Sequence, residues 1–171
     1  MIELVQIFSD ENNSCKIDFS KAIWATDQLN RIFHAAKASV LKDVDFVAET
    51  EDTLFFVEYK NANLSNATHP QAFKPLEDKK LNSVARKYYD SLNFLRAMQR
   101  GKKKQKVYVY ILEAPHGDVV LRNRVKVLLK GRLPFLLQKQ NDMSEKMIDC
   151  VTVISIDEWN DRYRDFPLQR L

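Results

Sequence analysis

The sequence predicts a three-layer α/β/α sandwich around a central mixed β-sheet, formed as one domain over residues 1–171. Three observations lead there. Two stretches rich in aromatic and β-branched residues, 53–61 and 106–113, flank a long amphipathic stretch at 79–98, so strand and helix periods alternate along the chain. No repeat, low-complexity tract or Pro/Gly/Ser-rich linker interrupts the 171 residues. The composition is 45% hydrophobic and 29% charged, which gives a chain of this length enough apolar mass for one core.

Residues 2–8 read as a short strand, followed by a polar turn at 9–14. Ser20 reads as the N-cap of a helix over 20–41, with Ile23, Trp24, Ile32, Phe33, Ala36 and Val40 at roughly helical spacing. The rhythm then changes. Residues 44–50 and 53–61 read as strands joined by a turn at Glu51 and Asp52, and Glu49, Glu51 and Asp52 read as solvated turn acids. Residues 62–77, with His69-Pro70 and Lys74-Pro75, read as a loop.

The clearest helix spans 79–98, where Leu81, Val84, Ala85, Tyr88, Leu92 and Leu95 fall on one stripe. Tyr88 and Tyr89 read as packing and rim residues of this helix. A basic connector leads into a strand at 106–113. Asp118 caps a further helix to about residue 130, which Gly131-Arg132-Leu133-Pro134 ends. Residues 150–156 read as a β-branched strand and 157–163 as a closing helix. Trp24 and Trp159 read as core anchors.

Several function classes are excluded. With three glycines the chain has neither G-x-G-x-x-G nor G-x-x-x-x-G-K-[ST], so it is not a Rossmann dinucleotide binder or a P-loop NTPase. Cys15 and Cys150 are far apart and form no C-x-x-C pair. His34, His69 and His116 show no metal-ligand spacing. No apolar run approaches the roughly 20 residues of a membrane span, and the first residues lack an export signal. The expectation is a cytoplasmic protein with no membrane partner.

Charge is unevenly placed. Residues 1–78 carry 7 Lys and Arg against 13 Asp and Glu, residues 79–139 carry 16 against 3, and residues 140–171 carry 4 against 7. The net charge of +4 therefore conceals a central segment of +13. Such a segment suits a polyanion, because each phosphate neutralised by Lys or Arg releases a condensed counterion.

One stretch combines charge with a hydrophobic strand context. Asp45 opens the strand Phe46-Val47-Ala48, and Glu58-Tyr59-Lys60 ends the strand Leu54-Phe55-Phe56-Val57. Side chains alternate along a strand, so Glu58 and Lys60 share a face and Tyr59 points to the other. Charges at the end of so apolar a strand need partners. Asp45 and Glu58 supply hard oxygen ligands for a divalent cation, and the Tyr59 carbonyl could add a third.

This pattern, an aspartate opening one strand and E-x-K closing the next, resembles the PD-(D/E)xK nuclease superfamily. The resemblance covers residues 20–113 and implies a restriction-endonuclease-like αβββαβ core. It implies that Asp45 and Glu58 hold Mg²⁺ or Mn²⁺, and that Lys60 positions and activates the attacking water. The implied activity is metal-dependent hydrolysis of DNA phosphodiester bonds, with Lys79, Arg86, Lys87, Lys102, Lys103 and Lys104 contacting backbone phosphate. Specificity would then come from a partner, a DNA structure or a homodimer.

Four departures accompany the resemblance. Residue 44 is Val where the motif has Pro, and only two strands are legible where the core has three. Asp27 is the one acid in the expected first helix. Tyr88 follows Val84, so the exonuclease-type Q-x-x-x-Y is absent. The alternative is a non-catalytic scaffold of the same shape that binds nucleic acid or a protein.

Overall fold

The structure, a computed structural model, describes residues 4–61, 74–113, 119–140 and 142–171. His69, His116, the Asp118 cap and most of the expected 62–77 loop lie outside them. The chain is mixed α/β, and among the described residues its strands form two sheets. The larger has five strands: β3 (Trp24–Thr26), β4 (Phe46–Glu49), β5 (Thr53–Asn61), β6 (Gln105–Glu113) and β7 (Cys150–Ile154), side by side in that order. The smaller holds β1 (Ile7–Ser9), β2 (Cys15–Asp18) and β8 (Leu168–Arg170), all antiparallel.

The larger sheet changes sense at its centre. β3, β4 and β5 form an antiparallel meander, while β5, β6 and β7 run parallel. Parallel neighbours need a crossover. The helix α2 (Asp78–Ala97) supplies the first, between β5 and β6, and α3 (Val119–Lys130) lies between β6 and β7. Seven consecutive buried residues in β5 match its central place, because a strand covered on both faces has no polar side.

Alternation along the strands divides the core in two. Val47, Leu54, Phe56, Tyr108 and Leu112 pack against the buried stripe of α2 and against Val125 and Leu129 of α3. Phe46, Ala48, Phe55, Val57 and Val109 face the other way, toward Ile17, Phe19, Trp159 and Leu168. On that side the covering layer is the smaller sheet together with α4 (Ile156–Arg162). Ser155 and Glu158 open α4 with a capping box. Trp159 is fully buried, and its indole N–H donates to the Phe166 carbonyl at 2.7 Å.

The expected helix over 20–41 does not form as one element. Trp24, Ala25 and Thr26 instead pair with Glu49, Ala48 and Val47 as β3, a strand that the sequence reading places within the helix. Helix α1 (Leu29–Ala35) follows, buries only Leu29 and Phe33, and leaves Ile23, Ile32 and Val40 exposed. It stops because Lys37 adopts φ 56°. Lys37 N–H then donates to His34 O and Ala38 N–H to Phe33 O, a Schellman closure with lysine where glycine is usual.

Candidate metal and phosphate site

The antiparallel register of β4 and β5 pairs Phe46 with Val57, and one further step brings Asp45 opposite Glu58. Asp45 lies on the same face as Val47, and Glu58 on the same face as Phe56, so both carboxylates point toward α2. The Tyr59 backbone N–H donates to Asp45 Oδ2 at 2.8 Å. The Tyr59 ring belongs to the opposite core, so only its backbone is at hand here. Lys60 is exposed at the end of β5, two residues beyond Glu58 on the same face.

Glu58 is 6% exposed. Its Oε1 accepts from Lys87 Nζ of α2 at 2.5 Å, and its Oε2 is buried with no hydrogen-bond partner among the described residues. Burial, reinforced by the neighbouring Asp45 charge, pushes the Glu58 carboxyl up to about 8. Burial likewise lifts Asp45 to about 6, against the opposing pull of Lys87 and of the Tyr59 N–H. For Lys87, burial works to lower the pKa, but the Glu58 and Asp45 carboxylates hold it above the ordinary lysine value.

A cleft of about 430 Å³ opens beside these groups, lined by Asp10, Glu11, Asp27, Asp43, Asp45 and Lys87 among others. Asp27 thus reaches the cleft rim from the turn before α1. The Asp10 carboxylate is already occupied by the Ser14 and Cys15 N–H groups and the Ser14 hydroxyl. Lys42 also lines the cleft, and it lines an adjoining one of about 640 Å³ with Lys79, Lys80, Asn82, Ser83 and Arg86. A cationic surface therefore borders the acidic cleft.

The six expected phosphate contacts do not form one wall. Lys79 and Arg86 stand on the exposed side of α2 and line the cleft adjoining the acidic one, although Arg86 also donates to the Val40 carbonyl. Lys87 turns inward to Glu58. Lys102, Lys103 and Lys104 precede β6, whose first residue pairs with Thr53, whereas Glu58 pairs with Tyr110. They sit at the opposite end of β5, roughly 20 Å from the carboxylates at about 3.3 Å per strand residue.

Lys104 is a structural residue there. Its Nζ donates to the Thr50 carbonyl at 2.6 Å and lies 3.2 Å from Glu49 Oε1. Glu49 is buried rather than solvated, correcting its reading as a turn acid. It accepts from Arg100 at 3.1 Å and from the Gly101 N–H at 2.9 Å. These contacts outweigh its desolvation and hold its pKa below the usual carboxylate value. Arg100 in turn covers Trp24, its guanidinium 4.3 Å from the ring centre.

Whether the carboxylates fit a metal can be judged from their oxygens. A buried oxygen without a partner is costly unless a cation or donor completes it, and Glu58 Oε2 is such an atom beside a second carboxylate. Among the described residues no group of three or more His, Cys, Asp or Glu is placed to hold a metal. Asp45 and Glu58 are therefore the two carboxylates that would hold a cation here. That suits Mg²⁺, which commonly takes one or two protein carboxylates and completes its shell with water and substrate phosphate.

No helix among the described residues is long and apolar enough to cross a membrane. No family model, curated protein or solved structure matches the chain.

Proposed function

We propose that the chain is a divalent-metal-dependent nuclease acting on DNA, with a PD-(D/E)xK-type site at Asp45, Glu58 and Lys60. One observation carries the reading. Two carboxylates from adjacent strands meet on one sheet face, and one of their oxygens is buried without a partner. The β4–β5 hairpin, the crossover helix α2 and the parallel β6 follow one another as in the latter part of a restriction-endonuclease-like core, although α1 lies between β3 and β4 rather than ahead of three strands. The part-sheet layer on the far face is then an addition to that core.

In this reading Asp45 and Glu58 hold the cation through hard oxygen ligands, with the Tyr59 carbonyl available beside them. When bound, such a cation neutralises charge on the scissile phosphate and lowers the pKa of a coordinated water. Lys60 orients the attacking water and stabilises negative charge building on the phosphate. Lys42, Lys79, Lys80 and Arg86 bind backbone phosphates on either side, which places a duplex without reading its sequence.

Supercoiled and linear DNA incubated with the protein and Mg²⁺, Mn²⁺ or EDTA tests this reading. Cleavage is expected with metal and not with EDTA, and Glu58→Ala or Lys60→Ala is expected to lower it by about a hundredfold or more. Cleavage that survives both substitutions would remove the assignment.

A second reading is a scaffold that binds nucleic acid without cutting. It is favoured by the Lys87 ammonium already occupying one oxygen of Glu58. Salt-sensitive DNA binding without cleavage under any metal would select it.

A further inference from the structure

The two oxygens of Glu58 differ. Oε1 meets Lys87 Nζ, while Oε2 is buried and unpartnered. A purely structural ion pair at this position would need to complete both, because an uncompleted carboxylate oxygen loses its hydration without compensation. Lys87 also differs from Lys106, the buried lysine among the described residues. Lys106 is 1% exposed, and its ammonium reaches Glu145 and the carbonyls of Gly101 and Lys104. The Lys87 side chain is 27% exposed and borders the acidic cleft. Its four-carbon stem lets the ammonium move without displacing α2.

We propose that Lys87 is a displaceable counter-ion that regulates cation loading. It pairs with Glu58 and gives way when a divalent cation binds between Asp45 and Glu58. The ammonium then swings to the cleft mouth and contacts a phosphate oxygen of the substrate. A cation and an ammonium repel strongly at contact distance in a partly desolvated site, so both do not share Glu58. Cation loading and phosphate capture are thereby coupled through one side chain. The inference rests on the metal-site reading above and adds a regulatory residue to it.

Two measurements test it: crystals of the wild-type protein soaked in Mn²⁺, and Mn²⁺ affinity from electron paramagnetic resonance titration of wild type, Lys87→Met and Lys87→Arg. The soaked structure is expected to hold Mn²⁺ between Asp45 and Glu58, with Lys87 Nζ beyond about 4 Å from Oε1. Lys87→Met is expected to bind Mn²⁺ about tenfold tighter, and Lys87→Arg no tighter than wild type. Mn²⁺ bound with Nζ still hydrogen-bonded to Oε1 overturns the counter-ion role while leaving the metal site standing, as does unchanged affinity in Lys87→Met. Absence of Mn²⁺ from both acids overturns the metal-site reading and this inference with it. The soak decides the matter alone should Lys87→Met fail to fold.

Discussion

The Asp45 carboxylate accepts a hydrogen bond from the Tyr59 backbone N–H at 2.8 Å, which ties the acid opening β4 to the strand carrying Glu58 and Lys60. Asn can still accept that bond through its amide oxygen, whereas Ala cannot. Asp45→Asn is therefore expected to lose cleavage with stability within about 1 kcal/mol of wild type, and Asp45→Ala to lose about 1–2 kcal/mol besides. Urea unfolding beside the cleavage assay separates the two effects. Equal stability of the two variants would show that the bond contributes nothing.

Acid–base behaviour offers a second test. The folded pKa of Glu58, about 8, exceeds its unfolded value, so the folded state holds a proton that the unfolded chain releases. This stabilisation is complete below the unfolded carboxylate value and is lost as pH rises through about 8. Asp45, at about 6, adds to the same fall over the lower part of the window. The metal-free protein is expected to show a Tm that declines from about pH 5 to about pH 8, and Glu58→Gln to flatten that decline. Mn²⁺ is expected to restore more Tm at the alkaline end, where it competes with fewer protons. An equal decline in wild type and Glu58→Gln would contradict this placement of Glu58.

The central strands and α2 were legible because their patterns are long. Nine residues of β5 and twenty of α2 repeat their periods often enough to locate each element nearly to the residue. β3 was not legible, since three residues carry no period and its partners at 47–49 are supplied by tertiary pairing. Nor did any glycine or proline announce the end of α1, because Lys37 takes the left-handed position. At the site, Glu58 and Lys60 could be placed on one face from alternation alone, whereas setting Asp45 opposite Glu58 needed the register of β4 with β5. The inward turn of Lys87 could not be read from its pattern, because it sits at the edge of the buried α2 stripe, beside Val84 and Tyr88. Charge counting likewise merged two groups of lysines that lie at opposite ends of the sheet.

The Glu49 cluster at the far end is expected to matter for stability and not for chemistry. Gly101 adopts φ +69°, and an added Cβ would lie 2.5 Å from Leu54 Cδ2. Gly101→Ala is therefore expected to cost about 1–3 kcal/mol through strain and crowding. Glu49→Gln is expected to cost about 1–2 kcal/mol, moderated because Arg100 and Lys104 can turn toward water. Denaturant midpoints measure both, and cleavage well below the transition should be unchanged.

The placement of the lysines makes a prediction about salt. Lys79→Ala and Lys80→Ala are each expected to reduce the slope of log affinity for DNA against log salt by about one. Lys102→Ala and Lys103→Ala, at the other end of β5, are expected to leave it unchanged. Binding measured with Ca²⁺ in place of Mg²⁺ over a salt series gives both slopes. The reverse ranking would place the nucleic acid on the opposite end of the molecule.

Mn²⁺ titration of the wild type, Asp45→Asn and Glu58→Gln, followed by electron paramagnetic resonance above about pH 8, measures the cation site most directly. One ion is expected to bind the wild type, and each substitution to weaken it by at least about tenfold. Binding of equal strength in all three proteins, or no binding to the wild type, would contradict a cation held between Asp45 and Glu58.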